Sequence, residues 1–309
     1  MLFFLTLCLI VGCKSDAKEG SAAQRTPAAT STGFSGSSAY SYAKAQVDFG
    51  PRVPGTPAAQ KAGDWIIRQM RARADTVIVQ SFTYTTADGK KLPLRNILAR
   101  FRPNLSERVL YITHWDSRPI SESAATEAEK KMPVPGANDG ASGVGMFVAL
   151  GDVLKKTPPA VGVDLLFTDG EDYGEFGPPE VDVLIGSRYF ANHLPSPGYK
   201  PIYGVLWDMI GDKDLRIPYE MNSFQQAPEV VSRVWQTAAD LGYGDVFVQE
   251  SGGLITDDHI PLLNVGIPVI DVIDLTYPPH HTPQDTMDKI SAQSLAKVGD
   301  VATALVTRK

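Results

Sequence analysis

Asp164-Leu165-Leu166-Phe167-Thr168-Asp169-Gly170-Glu171-Asp172 runs from an apolar segment straight into a cluster of carboxylates. A buried strand that ends in acids places them at its C-terminal edge, where open α/β sheets build their ligand sites. Glu171 and Asp172 are adjacent, and neighbouring side chains on an extended chain point in different directions. One carboxylate can therefore hold a metal while the other moves protons, provided that further ligands come from elsewhere in the chain.

Outward from this strand (Val161 to Thr168) the pattern alternates. Upstream, a turn at Pro54–Thr56 with Thr56 as cap predicts a helix to about Arg73. Thr76 to Thr86 alternates as a half-exposed strand does, Leu94–Phe101 and Arg108–His114 read as strands, and Gly143–Lys155 reads as a buried helix. Downstream come a strand at Ile202–Ile210, an amphipathic helix at Ala227–Leu241, a short buried strand at Pro268–Ile273 and a closing helix at Ala292–Thr307. Helices alternating with strands predict an α/β fold: a single three-layer α/β/α domain over residues 39–309 with a mixed, mostly parallel central sheet. Two connections, Ser117–Asn138 and Gly174–Ile185, are long, polar and proline-bearing, and such loops inside a compact domain usually build sites.

Composition narrows the chemistry. The 309 residues carry a formal charge of −6 and no basic block, which argues against nucleic-acid binding. Both cysteines, Cys8 and Cys13, fall in the first thirteen residues, so a metal in the folded part must be held by His, Asp or Glu. Leu2 to Gly12 is an apolar run of signal-peptide length, too short to span a bilayer comfortably. It ends in Ile10-Val11-Gly12-Cys13, which resembles a bacterial lipobox and predicts a leader at residues 1–13 lipidated at Cys13. The alternatives are an ordinary secretory signal or a misplaced start, since an N-terminal Lys or Arg is absent. Residues 14–38, rich in Ser, Ala, Thr and Gly, read as a flexible tether. The expected location is outside the cytoplasm, on a lipid anchor in the periplasm or outer membrane.

Four of the five histidines, His114, His259, His280 and His281, sit at loop junctions near aspartates. His193 lies in a helical context and reads as a surface or capping residue. A lone His at a strand end is more often a hydrogen-bonded structural residue than a ligand, and Asp139 can equally begin a helix as an N-cap. Asp208, inside Val205-Leu206-Trp207-Asp208-Met209-Ile210, is harder to set aside. A carboxylate in a buried run must be paired, hydrogen-bonded or on a metal, because its desolvation otherwise costs several kcal/mol. Asp271 repeats that argument. Trp115 and Trp207 can line a pocket or fill the core, and Arg118 can contact a substrate backbone. Glu122, Glu127, Glu129, Lys130 and Lys131 read as a solvated face or lid.

In order, His-x-Asp at 114–116, Asn-Asp-Gly-Ala-Ser-Gly at 138–143, Asp-Gly-Glu-Asp at 169–172, Asp-Met-Ile-Gly at 208–211, Asp-Asp-His at 257–259 and His-Thr at 281–282 resemble the zinc-dependent exopeptidases. That family includes bacterial secreted aminopeptidases and the glutaminyl-peptide cyclotransferases. The resemblance runs from Phe49-Gly50-Pro51-Arg52-Val53-Pro54-Gly55 to the closing helix. It implies Asp139, Asp172 and His281 as zinc ligands and Glu171 as the proton-transferring residue. In the aminopeptidases the positions of His114 and Asp208 bind a second zinc, with Asp139 bridging. A set of imidazole and carboxylate donors with an unliganded Glu beside it agrees with zinc catalysis. Asp172 stands where Glu is commoner.

Within that family two reactions compete. Asp257 makes the Asp-Asp-His of the cyclotransferases, where aminopeptidases typically carry Ser-Asp-His. In the cyclotransferases this acid shares a proton with the equivalent of Asp208 and removes it from metal duty. Glu171-Asp172-Tyr173-Gly174 and the Gly50–Gly55 stretch resemble the bacterial cyclotransferases, whereas His280 stands where they usually have tryptophan. The expectation is therefore a one-zinc enzyme, with Glu171, Asp257 and Asp208 as catalytic residues, that cyclises the N-terminal Gln of peptides and proteins to pyroglutamate and releases ammonia. The alternative is a two-zinc aminopeptidase. A further alternative is a binding lipoprotein that keeps the fold without catalysis. Asp271 is expected to orient a ligand or the Asp257 loop, or to serve a structural hydrogen bond.

Overall fold

The chain folds as α1 (Gly36–Val47), α2 (Pro57–Arg71), β1 (Thr76–Thr85), β2 (Lys91–Phe101), β3 (Arg108–His114), α3 (Ala141–Lys156), β4 (Gly162–Thr168), α4 (Ile185–Asn192), β5 (Tyr203–Asp208), β6 (Ile217–Glu220), α5 (Met221–Gln226), α6 (Pro228–Asp240), β7 (Phe247–Gly253), α7 (His259–Asn264), β8 (Val269–Ile273) and α8 (Ala292–Thr307). These elements come from a computed structural model that describes residues 32–308 and Leu2. The expected leader at 1–13, lipidation at Cys13 and most of the expected tether at 14–38 lie outside the described residues. Among the described residues no helix is long and apolar enough to cross a membrane.

The last part of the expected tether is ordered. Ser35 caps α1 by accepting from the Ser38 amide at 3.2 Å, and Phe34 lies so close to α8 that a Cβ on Gly299 would meet its ring at 2.1 Å. The Ser/Gly composition that reads as a linker serves here as a cap and a close helix contact.

Six strands form one sheet in the order β1-β2-β4-β3-β5-β8. β1, β2 and β4 pair antiparallel, while β4, β3, β5 and β8 run parallel. The four parallel strands are buried along their whole length, as expected when helices cover both faces. Alternate residues go to opposite sides. Tyr111, Leu165 and Val205 face the larger core made with α1, α2, α3, α6 and α8, while Leu110, Leu166 and Leu206 meet Phe190 of α4 and Leu262 of α7 on the thinner side. The result is the expected three layers. β6 and β7 make a separate two-stranded sheet that the sequence did not suggest.

Thr56 caps α2 as expected, accepting from Ala59 at 3.2 Å, with Pro57 in the first turn. α3 is packed backbone to backbone. A Cβ on Gly143 would come 2.1 Å from Thr113 Oγ1 and 2.7 Å from the Trp207 carbonyl, and one on Gly145 would come 2.4 Å from the Ala39 carbonyl of α1. Only glycine allows this approach. It pulls the N-terminal end of α3 down onto the C-terminal ends of β3 and β5, which end in His114 and Asp208.

Candidate active site

At the C-terminal edge of the parallel strands, side chains from five connections meet. His114 closes β3, Asp208 closes β5, and the turn after β4 supplies Glu171 and Asp172. Asp139 precedes α3, whose N-cap is Gly140 with no side-chain bond, so Asp139 is not the helix cap its position allowed. Its two oxygens face two imidazoles: Oδ1 is 3.0 Å from His114 Nε2 and Oδ2 is 3.7 Å from His281 Nε2. Asp208 Oδ1 lies 3.2 Å from the same His114 nitrogen, and Asp172 Oδ1 lies 3.4 Å from His281 Nε2. The residues predicted to hold one or two ions therefore form two adjoining groups that share Asp139. Candidate ligand atoms of His114, Asp139 and Asp208 all lie within 4.8 Å of one another, as do those of Asp139, His280 and His281.

Two residues that fix these groups, Asp116 and Asp285, carried no assigned role in the sequence, and two more carried a different one. Asp116 accepts from the amides of Glu171 at 3.1 Å and Asp172 at 3.2 Å, which clamps the acidic turn. Asp285 accepts from the amides of Asn138 at 2.8 Å and Asp139 at 3.2 Å and from the Tyr277 hydroxyl at 2.6 Å. Glu122 corrects its expected place on a solvated face. Its Oε1 is 2.6 Å from His281 Nδ1, and its Oε2 accepts from Arg118 Nε at 2.6 Å. Arg118, a candidate for the substrate backbone, is buried and donates to Asp172 Oδ1 at 2.7 Å. Arg118 and Glu122 thus link the Asp172 carboxylate to the far side of the His281 ring. A carboxylate behind a metal-binding imidazole is a common way to fix its tautomer and orientation.

Charge in this region is unbalanced. Burial by itself lowers the basicity of His281, but Asp172, Glu122 and Asp139 bring it up to about 10. Burial would raise Glu122, yet His281 and Arg118 bring it down to about 2. Asp139 is held well below the usual carboxylate range because His114 and His281 outweigh its burial. Glu171 is pushed well up, first by burial and then by Asp257, and Asp257 is pushed up by burial and by Asp208. Asp271 is raised by burial and by Asp257 and Asp208, and both its oxygens lack hydrogen-bond partners. Its amide donates to Ser223 Oγ at 2.8 Å, and its Oδ2 is 4.0 Å from His259 Nδ1.

The pocket over these groups has a volume of about 600 Å³. Asp139, Glu171, Asp172, Asp208, Asp257, His280 and His281 form its floor, and apolar side chains such as Phe176, Leu254 and Leu275 form its walls. One wall, residues 254–257, is pinned from behind. Glu220 Oε1 accepts from the Ile255 amide at 3.0 Å, and Asn222 Nδ2 donates to the Ile255 carbonyl at 2.7 Å. His259 lies behind that wall, 3.3 Å from Glu220. Trp115 lines a different cavity of about 540 Å³ between α2 and β1–β2, and Trp207 is core, edge-on to Tyr111 at 5.5 Å. His193 is exposed and caps α4, its Nδ1 2.9 Å from the Tyr189 carbonyl.

The donor set fits zinc. It is all imidazole and carboxylate, and both His114 nitrogens and Asp172 Oδ2 are buried without hydrogen-bond partners. Residues 96–306 match the model of peptidase family M28. The solved structure of Porphyromonas gingivalis glutaminyl cyclase is 39% identical, with a TM-score of 0.85 over 88% of this chain and 98% of that one. A structure described as a leucine aminopeptidase precursor from Bacteroides thetaiotaomicron is 35% identical, with a TM-score of 0.86 over 89% and 98%. Aminopeptidase YwaD of Bacillus subtilis is 24% identical over 82% of this chain, which spans about half (51%) of that protein's length.

Proposed function

The chain belongs to peptidase family M28, a zinc-dependent family, and from that premise we propose that it is a glutaminyl-peptide cyclotransferase. Its substrates are peptides and proteins that begin with Gln, and its products are the pyroglutamyl peptide and ammonia. The observation that carries this reading over hydrolysis is Asp257. It is buried in the pocket floor, and Asp208 is the largest charge acting against it. A carboxyl pushed up by burial and by a neighbouring carboxylate keeps its proton and can donate it. That arrangement favours Asp208 as a hydrogen-bonding group over Asp208 as a second-ion ligand.

Zinc bound by Asp139, Asp172 and His281 would supply a Lewis acid for the side-chain carboxamide oxygen. The remaining work falls to the chain. The pocket holds the Gln side chain folded back, so that the α-amine reaches the carboxamide carbon in an intramolecular attack. A C–N bond forms there as the bond to the amide nitrogen breaks. Glu171, kept basic enough by its burial beside Asp257, takes a proton from the attacking amine and returns it to the departing nitrogen, which leaves as ammonia. Asp257 steadies that nitrogen by hydrogen bonding.

Hydrolysis of N-terminal residues with two zincs is the second reading. The position of His114 Nε2, 3.0 Å from Asp139 and 3.2 Å from Asp208, favours it. Glu171 would then activate water. A Gln-initiated and a Leu-initiated peptide separate the two. Ammonia release with loss of the free amine from the first is expected, and free leucine from the second would overturn the cyclotransferase. Export and anchoring through Cys13 belong to the same proposal. Cys13→Ala should move the protein from the membrane fraction to the soluble exported fraction, and an unchanged distribution would refute the anchor.

A further inference from the structure

His280 lies beside His281 on the pocket floor, and the two rings face the same space. His281 sits in the left-handed region at φ 55°, so the consecutive side chains do not diverge as they would on a strand. Their ring centroids are 3.7 Å apart with planes inclined by 35°. The roles of the two imidazoles differ sharply. His281 is held at Nδ1 by Glu122 and points Nε2 at Asp139 and Asp172. The His280 backbone amide is anchored on the Tyr277 carbonyl at 3.2 Å, while its ring packs on the His281 ring and enters no hydrogen bond or ion pair among the described residues. A ring nitrogen of His280 nevertheless lies within 4.8 Å of ligand atoms of both Asp139 and His281.

An imidazole nitrogen that bonds to no described residue and lies within 4.8 Å of a ligand-type carboxylate and a ligand-type imidazole can serve as a metal donor. We propose that His280 is an additional, exchangeable ligand of the ion held by Asp139, Asp172 and His281. The inference rests on the zinc reading above. Three protein donors leave a catalytic zinc open to substrate, whereas four close it. A donor that releases on substrate entry satisfies both requirements: the ion is held tightly between turnovers and remains accessible during them.

Zinc affinity, read by competition with a chromophoric chelator, tests this together with proton NMR of the protein loaded with one equivalent of Co2+. Losing a group that merely orients a ligand costs roughly 10–100-fold in affinity, so losing a direct donor should cost about 100-fold or more. His280→Phe keeps the ring volume and removes the nitrogen. It should bind zinc about 100-fold more weakly and lack one paramagnetically shifted, exchangeable imidazole N–H signal. His280→Ala should show the same losses, and added free imidazole should restore both, a rescue that a packing role would not give. Unchanged affinity and an unchanged number of shifted signals in both variants would overturn the proposal. If instead the wild type takes up no more zinc than Asp172→Ala, the zinc reading itself fails, which is a distinguishable result.

Discussion

The parallel strands carry buried charge at both ends, and the two ends are built on opposite principles. Near their beginning, Asp164 of β4 accepts from Arg108 Nε and Nη2 at 2.6 Å each, from Arg100 Nε at 3.1 Å and from the Tyr199 hydroxyl at 2.8 Å. Every charge there has its partner. At the other end, Asp139, Glu171, Asp172, Asp208, Asp257, Asp258 and Asp271 crowd together, and His114, Asp172, Asp258 and Asp271 all keep unpartnered buried atoms. The chain solves the desolvation of charge completely at one edge and only in part at the other. Evidently it can satisfy a buried carboxylate fully, so the edge where it does so only in part is the one that suits an ion and a substrate.

This contrast can be broken by experiment. The largest effect should come from Glu171→Gln, which removes the proposed proton carrier and no proposed ligand. Turnover should fall by roughly 10²–10⁴-fold while zinc per chain is unchanged, and retention of full turnover would end the acid–base role. At the paired edge, Arg108→Met strands Asp164 with only part of its shell. Denaturant unfolding should show a loss of about 3–5 kcal/mol, with kcat/KM of the folded fraction intact. A matching loss of catalysis would show that the two edges are not independent.

Removing zinc with a chelator tests the unpaired edge from the other side. A ligand present at 100 times its Kd stabilises by about 2.7 kcal/mol, so melting temperature should drop on chelation and recover on zinc addition. Glu122→Gln should weaken zinc binding by roughly 10–100-fold, because it loosens His281 without removing a ligand. The smallest effect concerns Glu220 on the pinned wall. Burial would raise its carboxyl, but His259, Ser223 and the Ile255 and Ser223 amides bring it to about 2 from 4.5. A depressed folded value means that the unfolded chain binds the proton first. The stabilisation is therefore complete above about pH 4.5 and is lost as pH falls toward 2. Wild type should lose more stability across that window than Glu220→Gln, and equal slopes would remove Glu220 from the wall's support.

The unpaired edge was the more legible of the two in the sequence. Acids that interrupt apolar runs, as Asp208 and Asp271 do, stand out against hydrophobic neighbours. His114 and Glu171-Asp172 mark strand ends where the periodicity breaks. Asp116 and Asp285 carried no role, and Glu122 read as a solvated face or lid, because each lies in an already polar stretch, where a carboxylate with a specific partner looks like any solvated one. The bond from Arg118 to Asp172 was hidden for the same reason, because its long side chain reaches a partner 54 positions away. In the fold, the long buried strands and the four longest helices, α2, α3, α6 and α8, were readable from pattern, whereas α1 began inside the Ser/Gly-rich stretch that reads as a tether. β6 spans four residues and includes Pro218, and β7 ends in Ser251-Gly252-Gly253 with mostly exposed side chains, so neither offers a periodic signal. α5 and α7 are six residues each, shorter than two turns.

The glycines of α3 set a limit on how this scaffold can be re-engineered. Positions 143 and 145 touch a strand hydroxyl, a strand carbonyl and a neighbouring helix carbonyl at distances that admit no methyl group. Saturation libraries there should return glycine alone. The freedom to retune metal preference or substrate scope therefore resides in side chains that line the pocket outside this helix contact, such as Leu254 and His280.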